Sequence, residues 1–241
     1  MRRTLLTVGG IRVPSYPAML YLGTVLGIVA QNAAANSVGL PSARVYVATL
    51  VLFPVGLAGA RLLHVAGRWP EYRHDLRRIM DRAEGGMAMY GGLLLMVPAS
   101  VAVLAVLDVP YWRFWDVSSF LILLAMVFTR VGCLLNGCCA GRITTGRLGM
   151  RLADVTGTSA RRVPTQLLEA TLGAALLATA LFAWPRLTNP GELFLLVVAG
   201  YAAGRLALQP LRAEHGRIDA LSLLSGAFVA LALVGLILLR T

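Results

Sequence analysis

Phe120-Leu121-Ile122-Leu123-Leu124-Ala125-Met126-Val127-Phe128 runs into Thr129-Arg130-Val131-Gly132-Cys133-Leu134-Leu135-Asn136-Gly137-Cys138-Cys139-Ala140-Gly141-Arg142. The first nine residues hold no polar side chain, as the interior of a bilayer demands, and the next fourteen hold all three cysteines of the chain. Arg130 therefore stands at or just inside a membrane boundary, where an ionisable side chain is costly and marks function by default. Working outward, the rest of the 241 residues has the same character: 58% are hydrophobic and the mean hydropathy is +0.74, outside the range of soluble domains.

A bilayer span needs about 20 apolar residues, and seven stretches supply them: 16 to 35, 45 to 66, 87 to 108, 115 to 129, 164 to 184, 191 to 210 and 219 to 240. The fourth is short and can continue into the Arg130 segment. The fold class is thus an all-α integral membrane protein of about seven transmembrane helices, a single polytopic domain over 1–241. Two connections are long. Residues 67–86 read as an amphipathic segment at the interface, anchored by Trp69 and Tyr72. Residues 131–163 form a signature loop or cap after the fourth span, re-entrant or cap-like, because irregular backbone at membrane depth must be packed in protein or line a wet cavity.

The net charge is +11, and every one of the 22 basic residues is Arg. These arginines are spread through a hydrophobic chain, which excludes a nucleic-acid partner and favours anionic membrane lipids, whose phosphates the guanidinium fork grips in pairs of bonds. Three cysteines within seven positions build no disulfide framework and lack the separated pairs of a zinc site, so no metal or other cofactor is expected. Met1 to Arg12 lacks the compact apolar core of a removable signal. The histidines His64, His74 and His215 match no motif.

Five stretches, in order, resemble the bacterial phosphatidylglycerol:prolipoprotein diacylglyceryl transferases. Ser15-Tyr16-Pro17-Ala18-Met19 is similar to that family's Trp-Tyr-Gly-Leu-Met, and Gly59-Ala60-Arg61-Leu62 to its Gly-Gly-Arg-Leu/Ile. Glu84 to Leu93 resembles Asp-Gly-Gly-Met-Ser-Phe-His-Gly-Gly-Leu. Arg130 to Gly141 resembles the signature Arg-x-Gly-Asn-Phe-Ile-Asn-Gly-Glu-x-x-Gly, and Val163 to Ala170 resembles His-Pro-Ser-Gln-Leu-Tyr-Glu-Ala. Gly204 to Arg212 adds a fainter likeness to Arg-x-x-x-Glu-x-x-Arg.

The resemblance implies a plasma-membrane enzyme that moves a diacylglyceryl group from phosphatidylglycerol to the lipobox cysteine thiol of a prolipoprotein and releases glycerol 1-phosphate. It also implies that the signature loop lies on the outer face. The positive-inside rule gives the opposite orientation; the resemblance is preferred, because arginines that hold an anionic headgroup say little about topology. Two alternatives stay open: a transferase with the same donor and another acceptor, and a non-catalytic lipid-binding or carrier protein.

Breaking the bond between glycerol carbon and phosphate oxygen builds charge on the phosphate, which preorganised cations stabilise. Arg130 and Arg205 are the catalytic candidates, with Tyr90 standing where the family has His. Arg61, Asn136, Gly141, Tyr16, Gln166, Glu169 and Arg212 are the substrate-binding candidates. Snorkelling to the interface also explains Arg61 and Arg130, a plain turn also explains the glycines, and an ion pair with a cap arginine also explains Glu169. Cys133 and Cys138 replace the family's Asn and Glu, and Gln209 its second Glu. The cysteines read as small packing residues or as a thiol tuned by Arg130 or Arg142.

Overall fold

The computed structural model describes residues 4–9, 11–80, 89–153, 158–213 and 220–239. Glu84 to Ala88, His215, Asp219 and the end of the 67–86 segment lie outside the described residues. Seven long helices follow the seven apolar stretches: α1 (Ser15–Ser37), α2 (Ser42–Gly67), α4 (Met89–Val106), α5 (Tyr111–Asn136), α6 (Thr165–Ala183), α7 (Glu192–Leu208) and α8 (Ala220–Leu238). Five of them reach membrane-spanning length and hydropathy outright, and the apolar helices Tyr90–Val106 and Ser222–Leu238 are shorter. A one-turn helix, α3 (Trp69–Tyr72), and a 3-10 turn at Leu76–Met80 occupy the amphipathic connection.

Two antiparallel hairpins were not expected from the apolar pattern: β1 (Thr4–Val8) with β2 (Ile11–Pro14), and β3 (Met150–Ala153) with β4 (Ser159–Arg162). The fourth span also differs from its apolar core. Helix α5 continues through Gly132 to Asn136, so residues 131–136 are helical and the loop begins at Gly137. Gly137 takes the left-handed conformation at φ 84°, which ends the helix, and the N–H groups of Gly137 and Cys138 both bond the carbonyl of Cys133.

The chain divides into two compact units, Ala35–Phe114 and Met1–Ala34 with Trp115–Thr241. In the first, α2 and α4 touch through glycine. A Cβ on Gly59 would strike the carbonyl of Gly91, and one on Gly91 would strike that of Gly59. With lipid on the outside there is little hydrophobic drive between helices, so close backbone approach over small residues supplies the packing.

In the second unit α5 is the organising helix. Helix α1 runs antiparallel to it: Gly132 approaches Tyr16, Gly23 meets Ala125 and Phe128, Gly27 meets Leu121, and Gln31 donates a 2.8 Å hydrogen bond to Ser118. Helix α6 is antiparallel as well, with Phe120 against Trp184 at 5.6 Å between ring centres. Helix α7 runs parallel to α5, and Trp115 packs on Phe194 at 4.9 Å. Asp116 on α5 caps α7, accepting from the N–H groups of Gly191 (2.7 Å) and Phe194 (3.0 Å), donors that the first turn of a helix cannot satisfy itself. Large apolar side chains such as Leu231, Ile237, Leu238 and Phe182 remain exposed, the surface that lipid covers.

Candidate functional site

The antiparallel arrangement brings the last turns of α5 and α7 and the first turn of α6 to one end of the unit. Charge is placed there as the helix dipoles prefer, arginines at C-terminal ends and an acid near an N-terminal end. Glu169, 1% exposed, is the centre. Arg205 Nη1 donates to its Oε1 at 2.7 Å, and Arg212 Nη1 donates to the same oxygen at 2.6 Å. Arg130 Nε stands 2.6 Å from Oε2 as an ion pair, with no aligned hydrogen bond on that oxygen. All three side chains are between 10% and 16% exposed. Arg130 lies six residues before the end of α5. For a helix of about 39 Å crossing a hydrocarbon core of about 30 Å, that is a short way inside the boundary.

One carboxylate against three guanidiniums leaves two positive charges in a nearly water-free place. Each arginine spends one nitrogen on Glu169, and a guanidinium carries five N–H donors. Arg212 Nε and Gln166 Oε1 are buried without a hydrogen-bond partner. Arg130 is the member whose fork can turn toward an anion without breaking an aligned bond. The cluster can therefore bind a phosphate and hold the charge that builds on it.

The signature loop places Arg212. Gly141 donates to the carbonyl of Val163 at 2.9 Å, and Arg142 donates to that of Leu211 at 3.0 Å. A Cβ on Gly141 would press on the Leu211 carbonyl and come within 2.8 Å of Thr165 and of the Val163 carbonyl. Gly141 thus packs against the chain that carries Arg212. Gln166 Nε2 donates to the Cys138 carbonyl at 2.7 Å, and Thr165 donates to that of Cys139 at 2.8 Å. The Cys138 thiol donates to the Cys133 carbonyl at 3.7 Å, and Asn136 interacts with the same thiol. Tyr16 interacts electrostatically with Cys133, Cys138, Cys139 and Arg130.

Among the expected site residues, this unit brings together Arg130, Arg205, Arg212 and Glu169, with Gln166 one turn before Glu169 on α6, Asn136 at the end of α5, Gly141 in the loop that follows, and Tyr16 at the start of α1. Arg61 and Tyr90 belong to the other unit. Arg61 donates from Nε to the Ile79 carbonyl (2.9 Å) and from Nη2 to that of Arg78 (2.8 Å), and its guanidinium lies 5.5 Å over the Tyr72 ring. It clamps the 76–80 turn. Tyr90 is buried near the start of α4. Sequence reasoning missed Tyr201, which is buried and interacts electrostatically with Arg130. Its signal was position, one helical turn before Arg205. Thr165, fully buried, was missed as well; it opens α6 beside Gln166.

A model of the prolipoprotein diacylglyceryl transferase family matches residues 3–240. The phosphatidylglycerol–prolipoprotein diacylglyceryl transferase of Symbiobacterium thermophilum is 29% identical over 96% of this chain and 89% of its own length. The enzyme of that name from Dehalococcoides mccartyi is 31% identical over 80% of this chain and 74% of its own, and that of Bacillus cytotoxicus is 24% identical over 98% and 90%.

Proposed function

The chain belongs to the prolipoprotein diacylglyceryl transferase family, and from that premise we infer that it transfers the diacylglyceryl group of phosphatidylglycerol to a prolipoprotein. The observation that carries the site is the Glu169 cluster, with its two uncompensated positive charges in a buried place.

The reaction joins the sulfur of the acceptor cysteine to the terminal glyceryl carbon and breaks the bond from that carbon to the phosphate oxygen. The electron pair leaves with the oxygen, so the phosphate of the departing glycerol 1-phosphate gains a negative charge, and the thiol proton passes to a base. Arg130 and Arg205 stabilise the charge that appears on the phosphate, a role that needs cations fixed in advance rather than ordered during the step. Glu169 performs that fixing, as a positioning residue. Arg212 and Gln166 add donors and an acceptor for the headgroup, with Asn136, Gly141 and Tyr16 shaping the turn beside it.

Within the other unit, Tyr90 stands at the position where the family pattern has His and is a candidate for the acceptor side of the reaction, and Arg61 fixes the 76–80 turn. The protein works in the bacterial plasma membrane with the signature loop on the outer face. Phosphatidylglycerol, the prolipoprotein and surrounding lipid are its partners. The other reading, a different acceptor, is favoured by one feature, that Cys133 and Cys138 stand where the family has Asn and Glu.

The test is expression in cells depleted of their own enzyme, with a reporter prolipoprotein read by mass spectrometry. A mass gain of one diacylglyceryl group, lost in Arg130→Ala, is the expected result. Glycerol phosphate release with an unmodified reporter moves the assignment to another acceptor, and neither product from a folded protein removes the transferase reading. Tyr90→Phe should slow turnover and Tyr90→His restore it; unchanged turnover in Tyr90→Phe excludes that residue.

A further inference from the structure

The three cysteines converge. Their sulfur atoms all lie within 4.8 Å of one another, although they come from the last turn of α5 (Cys133) and the loop that follows (Cys138 and Cys139). None is in a disulfide, and they grade from buried through half-buried to exposed. Three sulfurs around one ion at a metal–sulfur distance of about 2.3 Å would be about 4 Å apart. The observed spacing needs only a small contraction to reach that.

The backbone that aims them is held. Gly137 at φ 84° and Cys139 at φ 60° take the left-handed conformation, which for cysteine is uncommon and needs support from its surroundings. Support comes from α6, where buried Thr165 and Gln166 bond the carbonyls of Cys139 and Cys138. Cys138 and Cys139 are chain neighbours, so a disulfide between them would be strained, and any other disulfide leaves the third sulfur unused. A single ion uses all three. Arg130 interacts electrostatically with Cys133 and Cys139, and so offsets the negative charge of three thiolates.

We propose that Cys133, Cys138 and Cys139 form a three-sulfur binding site for one soft, thiol-seeking cation of the Zn(II) or Cu(I) class. Sulfur-only ligands select such ions over magnesium or calcium. Binding breaks three S–H bonds, forms three metal–sulfur bonds and releases three protons to the solvent. The fourth position opens on the exposed side, at Cys139. Cys133 and Cys138 stand where this chain departs from the family pattern, so the metal readout below does not depend on transferase activity, although Arg130 and Gln166 adjoin both sites.

The probe is Cd2+ added to the full-length, reduced protein in detergent, followed by the thiolate-to-cadmium charge-transfer absorption. One ion per chain is expected, with full protection of all three cysteines from alkylation, and no band in the Cys133→Ser/Cys138→Ser/Cys139→Ser variant. Gln166→Ala or Thr165→Val should weaken the ion by roughly 10- to 100-fold while keeping the band, as loss of supporting bonds does at metal sites. Cadmium bound equally by the triple variant, held by histidines for example, overturns the proposal. So does a charge-transfer intensity that counts fewer than three thiolates per ion in the wild-type protein, a measurement that decides even if the triple variant misfolds.

Discussion

Asp116 and Glu169 are buried acids of neighbouring helices beside opposite ends of α7, and the two are used in opposite ways. At the start of α7 Asp116 accepts from two backbone N–H groups, and the charge is absorbed by the helix it caps. About 20 Å away, by the rise of thirteen helical residues, Glu169 meets Arg130, Arg205 and Arg212. The first acid closes an account of unsatisfied donors; the second is outnumbered by cations. A buried carboxylate on backbone donors is architecture, whereas one surrounded by excess guanidinium is the support of an anion site.

The comparison breaks most sharply at Arg130. Arg130→Ala leaves Glu169 with two partners, so the protein should fold while turnover falls about 100- to 1,000-fold, the usual loss when a donor to developing charge is removed. Reporter modification in membranes checks this; turnover within a few-fold of wild type would reduce the cluster to architecture like its counterpart. Next is Glu169→Gln, which sets three guanidiniums against each other and should cost about 3–5 kcal/mol, read by thermal unfolding in detergent. Asp116→Ala should cost about 1–2 kcal/mol, the value of a helix cap, with turnover almost unchanged. A large activity loss there would erase the distinction between the two ends. Smallest of all is Asp108→Asn: its 3.1 Å pair with Arg44 joins side chains 95% and 52% exposed, and the melting temperature should not move.

The spans were legible because a bilayer leaves the chain few options: each needs a long apolar run. Their ends were less so. The stop of α5 depends on the left-handed Gly137 rather than on Gly132, and a glycine inside a membrane helix is no breaker when a neighbour packs on it, as α1 does at Tyr16. The hairpins at 4–14 and 150–162 were missed because they are short and Arg-bearing, without a sustained alternation. At the site, the need of Glu169 for an arginine partner was readable. That three arginines share it was not, since Arg130, Arg205 and Arg212 meet only through tertiary packing. Arg61 shows the same limit from the other side: from sequence it resembles Arg130, yet two of its nitrogens hold carbonyls of the 76–80 turn.

The seam between α1 and α5 bears on how a phospholipid arrives. At Gly23 and Gly27 even an added methyl would collide with Phe128, Ala125 or Leu121, so backbone lies on backbone and no width is left for an acyl chain. For the proposed site, this closes the α1 side to a lipid drifting in the leaflet and leaves the other flanks of the helices for its approach.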